Sequence, residues 1–187
     1  MTLKEMKSKV FRLIEEISPE NPALTDDPDL AAKFNDVANQ VLFELSRMKK
    51  LARYVELPVK KGDIITFADI ESACGYEVYQ LRLARGVSLD ARADGTVLKC
   101  LEDGILELDL YVYPERITDK TRDTAYEFEL SPDALEIMPY GIAADLLKSD
   151  VSAGGGAVYA ARYESMLGRL DPRYRMPAVT IEGGLEL

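Results

Sequence analysis

At 187 residues, with 47% hydrophobic and 30% charged side chains, the chain predicts one soluble domain with a buried core and excludes wholesale disorder. Its formal net charge of −10 disfavours sequence-specific nucleic-acid binding, which needs a concentrated basic surface, but suits an acidic wall past which DNA would slide. The absence of histidine excludes Ser-His and Cys-His nucleophile pairs and H-E-x-x-H zinc sites, so no catalytic residues, metal or cofactor are expected.

The opening stretch, Met1 to Ile17, alternates charge and hydrophobe where a secretory signal needs an unbroken apolar run. No segment approaches the ~20 apolar residues of a membrane span, so a cytosolic chain without membrane contact is expected. Thr2 as N-cap and Glu5 three residues on form a capping box for a first helix from Leu3 to about Ile17. Pro19 and Pro22 stop it. Asp27 then caps a second helix from Pro28 to about Lys50, with proline in the first turn and Leu30, Phe34, Val37, Val41, Leu45 and Met48 on one face.

From Tyr54 the period changes from helical to alternating. Tyr54–Val59 reads as a strand and Lys61-Gly62-Asp63 as a turn, while Ile64–Cys74 is ambiguous between strand and a short helix ending at Gly75. Tyr76–Leu81 and Val87–Ala91 alternate; Asp94-Gly95 predicts a hairpin into Thr96–Leu101, and Glu102-Asp103-Gly104 predicts another into Ile105–Tyr113. In that last run Leu106, Leu108, Leu110 and Val112 share a buried face; Ile105, Glu107, Asp109, Tyr111 and Tyr113 share the other. Cys74 and Cys100 lie in apolar surroundings without C-x-x-C spacing and read as small buried hydrophobes.

After a polar connector over Glu115–Thr124, Tyr126–Leu130 is a last strand candidate. Ser131-Pro132-Asp133 starts a helix that Pro139 is expected to break near Met138, with a new helix from Tyr140 to Ser149. Gly154-Gly155-Gly156 reads as a loop, followed by a closing helix from Ala157 to about Leu170. The fold class is therefore α+β: N- and C-terminal helices form a bundle around an inserted antiparallel β meander of about five or six strands. Within one domain over 1–187, the divisions are N-terminal helices (1–53), a β-rich insertion (54–130), C-terminal helices (131–171) and an extended tail (172–187).

The chemically suggestive clusters have plainer readings. Asp26, Asp27 and Asp29 fit a helix N-terminus better than a calcium loop, whose alternate ligands Pro28 and Leu30 interrupt. The three glycines lack the Lys-Ser/Thr of a phosphate loop. Glu102, Asp103, Glu107 and Asp109 suit a solvated sheet face, which, acidic and aromatic, could equally meet a partner protein. Tyr159, Arg162, Tyr163, Arg173, Tyr174 and Arg175 form the candidate protein interface, being of the types enriched where proteins touch.

The stretch Asp36–Leu42, the block Leu135–Leu147 with its proline, aromatic and alanine-rich entry, and the segment Ala160–Leu167 carry a resemblance. Together with the element order, they resemble the head-to-tail adaptor or connector proteins of tailed bacteriophages, of the tail tubular protein A type. The tryptophan that often follows the second helix of such adaptors is missing; Met48–Tyr54 stands there. The resemblance implies a structural virion protein of a phage or prophage. It would form an oligomeric ring (possibly dodecameric) between a portal protein and a tail or stopper protein, around the DNA channel. Assembly would take place in the host cytoplasm before incorporation into the virion. The alternatives are a bacterial ligand-binding or regulatory module acting through the β-rich region, and a carboxylate enzyme that works without histidine.

Overall fold

A computed structural model describes residues 1–16, 18, 20–21, 23–91, 97–148, 155–170 and 180–181. In chain order the elements are α1 (Leu3–Leu13), α2 (Pro28–Met48), β1 (Leu51–Val59), β2 (Ile64–Thr66), α3 (Phe67–Cys74), β3 (Val78–Arg85), β4 (Leu89–Ala91), β5 (Val97–Cys100), β6 (Gly104–Val112), α4 (Pro132–Leu146), α5 (Gly155–Leu170) and β7 (Thr180–Ile181). The protein is α+β, and its contacts divide it into two compact units. One is helical, built from Met1–Lys49 and the chain from Pro114 through α5; the other is β-rich, built from Lys50–Tyr113 with β7.

At α1 and α2 the caps do what the sequence predicts, whereas at α4 Ser131 stands in the N-cap position without a side-chain capping bond. The Thr2 hydroxyl accepts from the Glu5 amide while the Glu5 carboxylate accepts from the Thr2 amide, and Asp27 accepts from the amides of Asp29 and Leu30. These bonds satisfy donors that a helix start otherwise leaves unpaired. α1 ends at Leu13 rather than near Ile17. Ile14 caps it and Glu15 turns into the left-handed region at φ 62°, which reverses the chain. α2 stops at Met48, and Leu51 already starts β1, three residues before the expected Tyr54.

α4 is continuous through Pro139, where a break is predicted. An interior proline costs about 3 kcal/mol through a lost hydrogen bond and a clash one turn back. Here Leu135, Ile137, Met138, Ile142 and Leu146 are all buried along the same helix, at roughly 1.5–3 kcal/mol each. The packing on both sides outweighs the proline. α1, α2 and α5 all contact α4, which runs through the middle of the unit.

The connector after β6 belongs to this unit. Tyr126–Leu130 is not a strand; only Glu127 forms a bridge, with Thr2, while Leu3 donates to the Tyr126 carbonyl and Phe128 donates to that of Met1. Ile117, Tyr126 and Phe128 are buried among the helices. Asn39 holds the connector on α2 with two bonds, its Nδ2 donating to the Ile117 carbonyl and its Oδ1 accepting from the Ile117 amide, each at 2.8 Å.

The β-rich unit contains two small sheets. β1, β6 and β3 pair antiparallel in that order, with β7 parallel beside β3 at Leu83–Ala84; β2, β5 and β4 pair antiparallel in the second. Apart from β4 and β5, strands that pair are thus not consecutive in sequence. Glu102-Asp103-Gly104 does not close the predicted hairpin but carries the chain from one sheet to the other, as β5 and β6 do not pair. The antiparallel β4–β5 pairing is present, while the Asp94-Gly95 turn itself lies outside the described residues. The ambiguous segment resolves into both readings: β2 runs into α3, which Thr66 and Asp69 start with a capping box and Gly75 ends at φ 76°.

The alternation of β6 holds over its length. Leu106, Leu108, Leu110 and Val112 are fully buried, packed with Val55, Leu81, Ala84 and Leu98, while Glu107, Asp109 and Tyr111 remain partly accessible. Cys100 is buried and Cys74 half-buried, both unbridged. Gly86, at φ 93°, fits where a Cβ would stand 2.3 Å from the Ile105 carbonyl oxygen. Only glycine allows that approach.

Candidate functional site

Three of the six predicted interface residues lie on α5, which begins earlier than expected. Gly155 and Gly156 are its first turn rather than a loop, and Gly154 lies outside the described residues. The reason is packing. A Cβ on Gly156 would stand 3.1 Å from the Leu147 carbonyl oxygen and 3.3 Å from that of Ala144, so a residue without one lets α5 start against the end of α4. Gly141 on α4 similarly leaves room for the Tyr163 ring, whose Cε2 lies 2.8 Å from where its Cβ would be.

These side chains tie α5 to three other helices. The Tyr159 hydroxyl donates to the Leu13 carbonyl at the end of α1, one of the acceptors a helix leaves unsatisfied. The Arg162 guanidinium lies over the Tyr140 ring of α4, 4.9 Å from its centroid. The Tyr163 hydroxyl donates to Glu44 Oε2 of α2 at 2.7 Å. Burial raises the Tyr163 phenol well above the ordinary tyrosine range, and the bond to Glu44 and the charges of Glu44 and Asp145 push the same way. Arg173, Tyr174 and Arg175 lie outside the described residues.

A cleft of about 570 Å³ opens where α2, α4 and α5 meet, lined by small residues with Glu44, Asp145, Tyr163 and Glu164 at its walls. A second, of about 410 Å³, lies between Lys9, Leu13, Glu136, Pro139, Tyr140, Arg162 and Met166.

On the β-rich unit the acidic strand residues separate by role. Glu102 accepts from the Ser88 amide and hydroxyl, and Asp103 from the Lys61 amide; both brace turns. Glu107 stays on the accessible face of β6 and accepts from Arg85 Nε of β3 at 2.6 Å. That guanidinium holds the Glu107 carboxyl below the usual range, and the Tyr54 hydroxyl acts in the same direction. Glu56 of β1 lies directly opposite Glu107, and Tyr54 directly opposite Asp109. The Tyr54 hydroxyl donates to Glu56 Oε1 at 2.8 Å, and that bond, with desolvation and the Glu107 charge, pushes the phenol up to about 12.

Sequence reasoning placed Glu107, Asp109, Tyr111 and Tyr113 on one face but missed Tyr54, Glu56 and Arg85 as their neighbours. The alternation of Tyr54–Val59 was visible; the pairing of β1 with β6, some fifty residues apart, was not. The chain matches no protein-family model and no curated protein.

Proposed function

We propose that this chain is a structural subunit of a head-tail adaptor of a tailed phage or prophage, forming a ring between portal and tail or stopper protein around the DNA channel. The observation that supports it is the interleaving of the two units. The chain builds half of a helical unit, leaves it for the β-rich unit at Lys50, and returns at Pro114 to complete the first. That is the arrangement the resemblance implies, and it goes with the net charge of −10 expected of a wall beside DNA.

The role is one of contact, not catalysis. Three of the four carboxylates singled out in the β-rich stretch have structural tasks, Glu102 and Asp103 bracing turns and Glu107 pairing with Arg85, and Asp27 caps α2; Asp109 forms no ion pair among the described residues. A ligand-binding module acting through the β-rich region draws less support, because the two clefts described above lie on the helical unit. Assembly in the host cytoplasm and incorporation into the virion follow from the adaptor reading. No helix among the described residues is long and apolar enough to cross a membrane.

Electron microscopy of the purified chain mixed with the portal protein from the same genome tests this. Additional ring density on the portal is expected; portals that stay undecorated at saturating protein overturn the proposal.

A further inference from the structure

Copies of a chain carrying −10 repel one another, so self-association is favoured by a contact that brings opposite local charges together. Two surfaces have the needed character. The first is the outer face of the β1–β6–β3 sheet, with Glu56, Glu107 and Asp109 beside Tyr54, Tyr111 and Ile105. Tyr54 is 49% and Ile105 53% exposed, large values for such side chains on a formed sheet. Glu56 and Glu107 are directly opposite, a like-charge pairing that destabilises a sheet. Arg85 answers Glu107 and the Lys50 ammonium sits 4.5 Å from the Tyr111 centroid, yet among the described residues neither Glu56 nor Asp109 forms an ion pair.

The second surface is the exposed side of α1. This helix carries Lys4, Lys7, Lys9 and Arg12 against the single carboxylate of Glu5, the reverse of the chain's overall balance. Lys7 is engaged by Asp123 at 2.9 Å. Lys4, Lys9 and Arg12 are exposed and, among the described residues, have no ion-pair partner. They border a shallow groove of about 460 Å³ with Met1, Glu5 and Ser8. Lys4 to Arg12 is eight residues, about 12 Å along the helix, while Glu56 and Asp109 are diagonal neighbours about 7–8 Å apart on adjacent strands, flanked by Tyr54 and Ile105.

We propose that the outer face of the β1–β6–β3 sheet receives the basic side of α1 from a second copy. Tyr54 and Ile105 supply the apolar contact, while Glu56 and Asp109 meet Lys4, Lys9 and Arg12. The two halves are different surfaces, so the contact is head-to-tail and repeats from copy to copy, the type that builds rings or filaments rather than closed two-fold dimers. It rests on the ring reading only for the expectation that copies associate. Because it needs no portal, it stands or falls separately from portal docking.

Sedimentation velocity on the full chain, from micromolar to near-millimolar protein, tests it at about 0.1 M and about 1 M salt, where screening lengths are roughly 10 and 3 Å. Association that rises with concentration and weakens in the higher salt is expected. Glu56→Lys, or Lys9→Glu with Arg12→Glu, should each weaken it at least ~10-fold, and a mixture of the two variants should regain it. Tyr54→Ser should weaken association without introducing a charge. Circular dichroism identical to the parent shows that each variant is folded. A wild-type chain that stays monomeric throughout, association indifferent to the substitutions, or a mixture that fails to regain it overturns the proposal.

Discussion

Replacing Asn39 by alanine should unfasten the connector from α2. Asn39 is 5% exposed and spends both ends of its amide on Ile117, itself 2% exposed. The substitution deletes two hydrogen bonds, and it leaves the Ile117 amide and carbonyl with neither protein partner nor ready access to water. A net loss of about 1 kcal/mol per bond is the usual scale when both partners are solvated on unfolding; stranding a buried group costs a further 1–3 kcal/mol. Relaxation of the connector recovers some of this, so about 3 kcal/mol is the working value. Urea unfolding followed by circular dichroism at 222 nm reads the helical unit. With a slope of roughly 2 kcal/mol per molar urea, the midpoint should fall by about 1.5 M. Asn39→Asp adds a second readout. A buried carboxylate cannot donate to the Ile117 carbonyl, so its pKa in the fold lies above the unfolded value of about 3.9. The penalty is therefore absent below that value and grows as pH rises above it. A midpoint shift under ~0.3 M for Asn39→Ala, or an aspartate variant equally stable at pH 4 and pH 7, refutes the reasoning.

Gly141→Ala forces a methyl to within 2.8 Å of the Tyr163 ring and 3.0 Å of Val41 Cγ1, and should cost about 1–3 kcal/mol, seen in calorimetry as a drop in Tm of the helical unit; an unchanged Tm would show that Tyr163 moves aside freely. Gly86→Ala combines a positive φ of 93° with a Cβ 2.3 Å from the Ile105 carbonyl, so the β-rich unit should become sensitive to limited proteolysis at temperatures where the parent resists; equal cleavage rates refute the strain argument. Arg85→Gln removes the cation that holds Glu107 down, so an NMR titration of the Glu107 carboxyl should move upward. As that pKa is depressed in the folded chain, the pairing contributes stability above the unfolded value of about 4.3 and loses it as pH falls through the folded one. A titration that does not move in the variant shows that Arg85 is not its cause.

The legible parts of this fold are those decided by nearest neighbours. The Thr2–Glu5 capping box, the Asp27-Pro28 start of α2 and the Gly75 stop of α3 depend on bonds within a few residues, and the alternation along β6 on the two-residue period of an extended chain. The candidate site was legible only by residue type. Tyr159, Arg162 and Tyr163 were readable as residues that make contacts, but not that α1, α4 and α2 are what they touch. Likewise the acidic face of β6 was visible, while Tyr54 and Glu56 join it through a pairing that no local pattern announces.

The sequence by itself determined where α1, α2 and α4 begin, which side of β6 is buried, and that the chain is α+β. Those outcomes turn on local terms of about 1 kcal/mol that point the same way as the tertiary contacts. Only the tertiary structure decided that α4 runs through Pro139, that Gly155 and Gly156 are helical, and that Glu102-Asp103-Gly104 crosses between sheets instead of closing a hairpin. In each of these the local preference, a few kcal/mol at most, is set against the burial of several side chains from distant parts of the chain, and burial is the larger quantity.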